Sequence, residues 1–266
     1  MTSLRTLAGV LLLCLGLSGC ATLVPPPAVA AGAPATSPAQ AWQAWARVLD
    51  RFVDERGEVD FAALSEDRTD LDRYVRHVAD TPPNTIVDDS ERLAHLINAY
   101  NALSMFNVIE SGIPATHAGL NKLVFFVQRK MPIGGRALSL YAFENEVIRP
   151  FARALGQPEV HFALNCSARS CPVLPRVPFT GEGLAGQLER EARAFFARPE
   201  NFRFDTATRT VWLSEILNFY PEDFVPAHGR NLVAYANRYA PQAAPIDAQV
   251  RFTSYDWSIA NRRHAP

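Results

Sequence analysis

What is scarce in this sequence narrows it first. Neither sign of charge dominates: 26 Lys and Arg stand against 27 Asp and Glu, a formal net charge of -1. There is therefore no electrostatic footprint for nucleic acid. Histidine is limited to six residues with no HxxxH-type pair, which argues against a metal site, and no motif asks for a cofactor. The four cysteines include no Cys-x-x-Cys, so the usual signature of thiol–disulfide exchange is missing. Beyond the first twenty residues no apolar run approaches the length of a membrane helix, and no internal repeat is visible. A chain of 266 residues that is 48% hydrophobic fits one globular domain of ordinary density.

The N-terminus is the most specific feature present. Arg5 precedes an apolar run, Leu7–Leu17, that has the length of a signal-peptide core and is too short to span a bilayer. It ends in Leu17-Ser18-Gly19-Cys20. Small residues must precede the cut, and the Cys20 thiol is the acceptor for diacylglycerol. The pattern predicts a lipoprotein with residues 1–19 as signal peptide and Cys20 as the acylated (palmitate-type) membrane anchor. Ala21 follows, not Asp, which resembles lipoproteins sent to the outer membrane, where the domain would face the periplasm. Residues 20–38 are rich in Pro, Ala and small side chains without charge. They read as an extended tether, with the globular domain over 39–266.

Within the domain, Trp42, Trp45, Val48, Leu49 and Phe52 recur at helical spacing. Gly57 interrupts the pattern, and Leu71, Tyr74, Val75 and Val78 resume it up to Thr81-Pro82-Pro83. Ser90–Glu110, with Ser90 as cap, is the strongest predicted helix. The apolar runs 123–127 and 160–164 read as buried strands, and 131–140 as a hairpin turning at Gly134-Gly135. Helices are expected over 140–155, capped by Ser139, and over 184–196 and 231–239, with strands at 211–213 and 250–253. The expected fold is a single helix-rich α+β domain with a small β-sheet carrying 123–127, 160–164 and 250–253.

Reactive residues concentrate in His161-Phe-Ala-Leu-Asn165-Cys166-Ser-Ala-Arg169-Ser-Cys171-Pro172. Cys166 could be a nucleophile if Arg169 or His161 lowers its pKa. In an oxidising compartment Cys166 and Cys171 could equally close a small disulfide loop. Asn98 and Asn101 lie one turn apart in a very apolar helix, either as a polar floor under a substrate or as partners of a buried loop. Glu144 follows the hairpin as a further substrate contact. Asp256 beside Trp257 either orients a histidine or caps a turn.

Four segments, Leu96–Leu103, His161–Pro172, Leu213–Tyr220 with Asp223-Phe224, and Tyr255–Ser258, together resemble the domain-of-unknown-function family 547, in that family's order and over about residues 90–260. The resemblance implies an architecture and no reaction. The family usually carries Glu-His where this chain has Glu144-Asn145. Two functions follow from the residues. One is a binding or assembly lipoprotein with a disulfide-tied loop and a protein or cell-wall partner, the reading the compartment favours. The other is an acyl-transfer or hydrolytic enzyme acting on peptide or cell-wall material. It would use Cys166 as nucleophile, His161 as base, Asp256 as orienter, and Asn98, Asn101, Arg169 and Glu144 as substrate contacts.

Overall fold

The computed structural model describes residues 21–28 and 36–262. The expected signal peptide and Cys20 lie outside the described residues, as do the last four positions. The chain is a helix-rich α+β domain.

Strand β1 is short, Thr22–Leu23, and falls inside the expected tether. Helix α1 (Pro38–Phe52) starts where the local chemistry is strongest. The Ser37 side chain accepts from Gln40 N, the Gln40 side chain accepts from Ser37 N, and Pro38 occupies the first turn. Its apolar stripe packs on α3 (Thr69–Asp80), with Trp45 stacked on Tyr74 at 5.4 Å. The break at Gly57 (φ 76°) precedes α2 (Phe61–Glu66). A side chain at Gly57 would meet the Leu174 backbone at 2.7 Å.

Helix α4 (Asp89–Glu110) is capped by Asp88, whose carboxylate accepts from Glu91 N at 2.8 Å, so the cap lies two residues before Ser90. Its buried positions run all round the axis, because the helix passes through the core and not along its surface.

The next expectation fails. From Gly119 (φ 66°), α5 (Leu120–Leu123) runs into a π-turn, Val124–Gln128, where a buried strand was expected. A short apolar run cannot be divided into strand or helix by periodicity alone. The hairpin does form, as β2 (Arg129–Ile133) and β3 (Arg136–Ser139), with positive φ at Gly134 and Gly135. Strand β1 adds to it in parallel, Thr22 opposite Arg129 and Leu23 opposite Lys130.

Ser139 caps α6 (Leu140–Ala142) through Ala142 N. The helix widens into a second π-turn, Phe143–Ile148, and continues as α7 (Arg149–Ala154). Residues Pro158–Phe162 form a 3-10 turn, not a strand. Pro158 favours a helical start and leaves no ladder donor. Helix α8 (Leu184–Phe196) leads to β4 (Phe202–Asp205) and β5 (Thr210–Ser214). The short helices α9 (Ile216–Phe219), α10 (Pro221–Phe224) and α11 (Leu232–Ala236) precede β6 (Gln249–Thr253). The described residues thus hold two three-stranded sheets, ordered β1-β2-β3 and β4-β5-β6. Of the three strands assigned to one sheet, only the last is a strand.

Two apolar clusters share the interior, one around α1 to α4 and one around α8, α11 and the second sheet. The 3-10 turn and the two residues after it stitch them together: Val160, Ala163 and Leu164 enter the first and Phe162 the second. His161 is thereby fixed at the seam.

Candidate functional site

The site begins with a row of polar residues on α4. Asn98, Asn101, Ser104 and Asn107 recur every third position and are all buried. Each step turns the side chain by about 60° around the axis, so the row winds past successive loops. Asn98 pairs with both backbone groups of Phe179, donating to its carbonyl at 2.7 Å and accepting from its N–H at 3.0 Å. Asn101 donates to Ala163 O and accepts from Asn165 N. Ser104 meets Ser167 Oγ at 2.9 Å, and Asn107 donates to Phe125 O. These amides satisfy irregular backbone that has no ladder partner. Neither Asn98 nor Asn101 lines the cavity described below.

The loop so held is 165–172. Asn165 accepts from Ser167 N and donates to Pro172 O, closing the loop on itself, while Ser167 sits at φ 66°. Its outer edge is zipped to 256–260 through Arg169 N to Ser258 O and Ala260 N to Ser167 O. His117 Nε2 reaches the Cys166 carbonyl at 3.0 Å.

This framework brings Cys166 Sγ and Cys171 Sγ to 2.8 Å, and both thiols are free in the structure. They are not equivalent. Cys171 Sγ accepts from Cys166 N at 3.1 Å and from the Tyr255 hydroxyl at 3.2 Å. Burial alone would raise its pKa, yet these donors with the Cys166 thiol hold it below the ordinary thiol value. Cys166 is pushed well above it, first by keeping its proton on Cys171 and then by burial. The more acidic thiol of the pair is Cys171, whereas the enzyme alternative read from sequence had put the nucleophile at Cys166.

His161 is oriented by Asp223, not by Asp256. His161 Nε2 lies 2.8 Å from Asp223 Oδ2. Burial would raise the Asp223 carboxyl, but hydrogen bonds from His161, Arg149 and Arg153 hold it well below the usual carboxylate range. An ionised carboxylate only accepts, so Nε2 carries the proton. Nδ1 is left as the ring nitrogen without a hydrogen-bond partner among the described residues. The imidazole stacks on Tyr220 at 5.0 Å between ring centroids, and the Arg149 guanidinium covers the same ring at 3.9 Å. Asn145, where the resembled family usually has histidine, accepts from Arg149 Nη1 at 2.6 Å.

Glu144 projects from the second π-turn and accepts from the Tyr100 hydroxyl at 2.8 Å. Burial and then the Glu144 charge push the Tyr100 and Tyr220 hydroxyls well above their ordinary values, so both stay protonated as donors.

Cys166, Cys171, His161 and Glu144 all open into one cavity of about 600 Å³. Tyr100, Tyr220, Tyr255, Phe126, Phe219 and Trp257 add aromatic rings to its wall, and Leu123, Val127, Leu164 and Ile216 add aliphatic surface. It follows the seam between the two apolar clusters and is flanked by both π-turns, a local geometry frequent at functional sites. Lys122 stands at its rim, Nζ 3.8 Å from the Trp257 ring centroid.

Two further predicted residues, like Asn98 and Asn101, lie outside the cavity. Asp256 is exposed and accepts from Ser258 N at 2.9 Å, capping its own turn. Arg169 donates to Glu58 Oε1 at 2.6 Å on the other side of the loop, in a separate polar groove. Asp223 and Tyr255 were missed as partners. Their aromatic–acidic segments are visible in the sequence, but nothing in the spacing links them to positions 62 and 84 residues away. Among the described residues, no three His, Cys, Asp or Glu side chains are grouped to hold a metal ion.

Residues 85–196 match the model of the family described as a protein of unknown function, DUF547. That stretch carries Tyr100, Glu144, His161 and both thiols and stops before Asp223 and Tyr255. No curated protein and no solved structure matches the chain.

Proposed function

We propose that this chain is an envelope lipoprotein that binds a small, largely apolar ligand in the cavity along its seam. Residues 1–19 direct export, acylated Cys20 anchors the protein, and the domain faces the periplasm from the outer membrane. One observation carries the binding reading: Glu144, His161 and the thiol pair converge on a single cavity otherwise walled mainly by aromatic rings and aliphatic side chains. Rings supply apolar contact area with little rotamer entropy to lose. A few fixed polar groups then orient the occupant: the Glu144 carboxylate, the Tyr100 and Tyr220 hydroxyls, and the unpartnered Nδ1 of His161.

A second reading is favoured by the donors gathered on Cys171. They make it the more acidic thiol, and His161, its tautomer set by Asp223, is available as a proton acceptor in the same cavity. Thiol-dependent acyl transfer or hydrolysis would then use Cys171 as nucleophile. Cys166 would serve as its hydrogen-bond donor, or as its partner in a disulfide.

Titration with N-phenyl-1-naphthylamine, a neutral apolar fluorophore, tests the binding reading. Saturable enhancement is expected at one site, abolished by Leu164→Trp, which fills the cavity from its buried wall. Enhancement that never saturates, or that Leu164→Trp leaves intact, would reject it.

A further inference from the structure

The segment Leu120–Val127 carries its apolar stripe on the wrong side for a water-soluble surface. Leu120, Leu123, Val124 and Val127 follow the i, i+3, i+4, i+7 pattern of one helical face. That face points outward, with relative exposures of 82%, 49%, 42% and 42%. Phe125 turns in, at 3%, and Phe126 is half-buried against the core. Leu123 and Val127 are at the same time part of the cavity wall, and Lys122 stands at its rim. An outward apolar stripe that forms the lip of an apolar cavity needs a partner.

Strand β1 indicates which partner. Thr22 pairs with Arg129, the residue after the π-turn, and Val24 is buried with its N–H on Lys130 O at 2.8 Å. Cys20 is two residues before Thr22, so the chain can carry it no more than about 7 Å further. An acyl anchor at Cys20 is thus tied beside the stripe. The docked β1 takes up the first described residues of the stretch that sequence alone reads as spacer.

We infer that the domain lies on the bilayer through the Leu120–Val127 stripe, and that the cavity opens onto phospholipid and takes its ligand from the membrane. The inference rests on the anchor proposed above. Exposed Leu23, at 62%, adds to the apolar surface from β1, and Lys122 offers a cation at headgroup level.

The test uses the full chain, purified from membranes and reconstituted in phosphatidylethanolamine–phosphatidylglycerol vesicles with brominated acyl chains. Val124→Trp provides the reporter and Val87→Trp the control. Val87 is 90% exposed and lies by the N-terminal end of α4, whereas the π-turn bonds to Asn107 near its C-terminal end. At 1.5 Å rise per residue the two reporters are about 30 Å apart. After subtraction of the parent signal, brominated lipid should quench Val124→Trp roughly twofold or more, with Val87→Trp unchanged. Adding Leu120→Glu and Leu123→Glu should relieve that quenching while the protein still floats with the vesicles. Acylated protein whose Val124→Trp emission is unchanged, or falls no more than that of Val87→Trp, overturns the docking and leaves the anchor standing. An intact mass without acyl chains overturns the anchor and the docking with it.

Discussion

The hydroxyl of Tyr255 donates to Cys171 Sγ at 3.2 Å while standing 3.9 Å from Cys166 Sγ. With the Cys166 thiol and N–H, which also point at Cys171 Sγ, that contact favours the thiolate on Cys171. Reduced protein treated with iodoacetamide near neutral pH is therefore expected to alkylate at Cys171 before Cys166, as read by peptide mass spectrometry. Tyr255→Phe removes one donor and should move the pH midpoint of Cys171 labelling upward. Faster labelling of Cys166 would contradict the assignment. Protein isolated without reductant reports the other fate of the pair: resistance to alkylation, and an intact mass lower by two protons, marks a disulfide.

The same contrast applies to the two candidate carboxylates. Asp223 binds Arg149, Arg153 and His161 in a nearly dry setting. Asp223→Asn strips the buried Arg149 of its main counter-charge and should cost roughly 3–5 kcal/mol. Asp256→Asn touches only an exposed turn, and its effect should stay within about 0.5 kcal/mol. The sign with pH is fixed. Asp223 has a folded pKa below its unfolded one, so its contribution is present above the unfolded value, about 3.9, and is lost as pH falls through the folded value. Acid titration of stability should show that loss in the wild type and not in Asp223→Asn. Equal melting of the two asparagine variants would return the role to Asp256.

Two histidines outside the cavity set a second, milder pH dependence. His95 and His117 are lowered to about 4, chiefly by burial. Both have a buried ring nitrogen without a partner among the described residues, Nε2 of His95 and Nδ1 of His117. Their folded pKa lies below the unfolded 6.5, so the unfolded chain binds more protons between the two values. Stability should be full above pH 6.5 and should decline toward pH 4, by on the order of 3 kcal/mol for His117. His95→Leu is expected to flatten this limb. Denaturant midpoints unchanged between pH 7 and pH 5 would show that neither ring is held neutral.

Much of this architecture was legible because it rests on local chemistry. Gly134-Gly135 and Ser139 mark a hairpin and a helix start, and each acts where its chemistry dictates, whereas the start of α1 at Ser37-Pro38 was read as the end of the tether. The loop from Cys166 to Cys171 stood out because reactive side chains crowd one segment. The runs 123–127 and 160–164 were misread because an apolar pentapeptide looks alike as strand or tight helix. Its identity is set by what it packs against: Val160 and Phe162 serve two different clusters, which alternation along a strand also predicts. The Asp223–His161 and Tyr255–Cys171 pairs were not legible. Tertiary pairing between distant segments leaves no periodic trace, and Asp256 was an equally plausible acid until its exposure was known.

The polar row on α4 bears on how the cavity is kept in shape. Asn98, Asn101 and Ser104 grip Phe179, the 163–165 backbone and Ser167 from behind, while the cavity opens on the other side of the loop. Asn101→Leu would leave Ala163 O and Asn165 N buried without their partners, at roughly 1–3 kcal/mol. Asn98→Leu would do the same at Phe179 and would also release Trp45 Nε1, which donates to Asn98 Oδ1 at 3.2 Å. Both variants should therefore melt lower. At a temperature where each is still folded, both should bind N-phenyl-1-naphthylamine with nearly wild-type affinity, because neither side chain reaches the cavity. Glu144→Gln is expected to behave in the opposite way. It keeps an acceptor for Tyr100 and stays close to wild type in melting, but changes the affinity for charged analogues of the probe. If Asn101→Leu instead melted normally and lost the probe, α4 would be a binding surface and not the spine that holds the thiol loop in place.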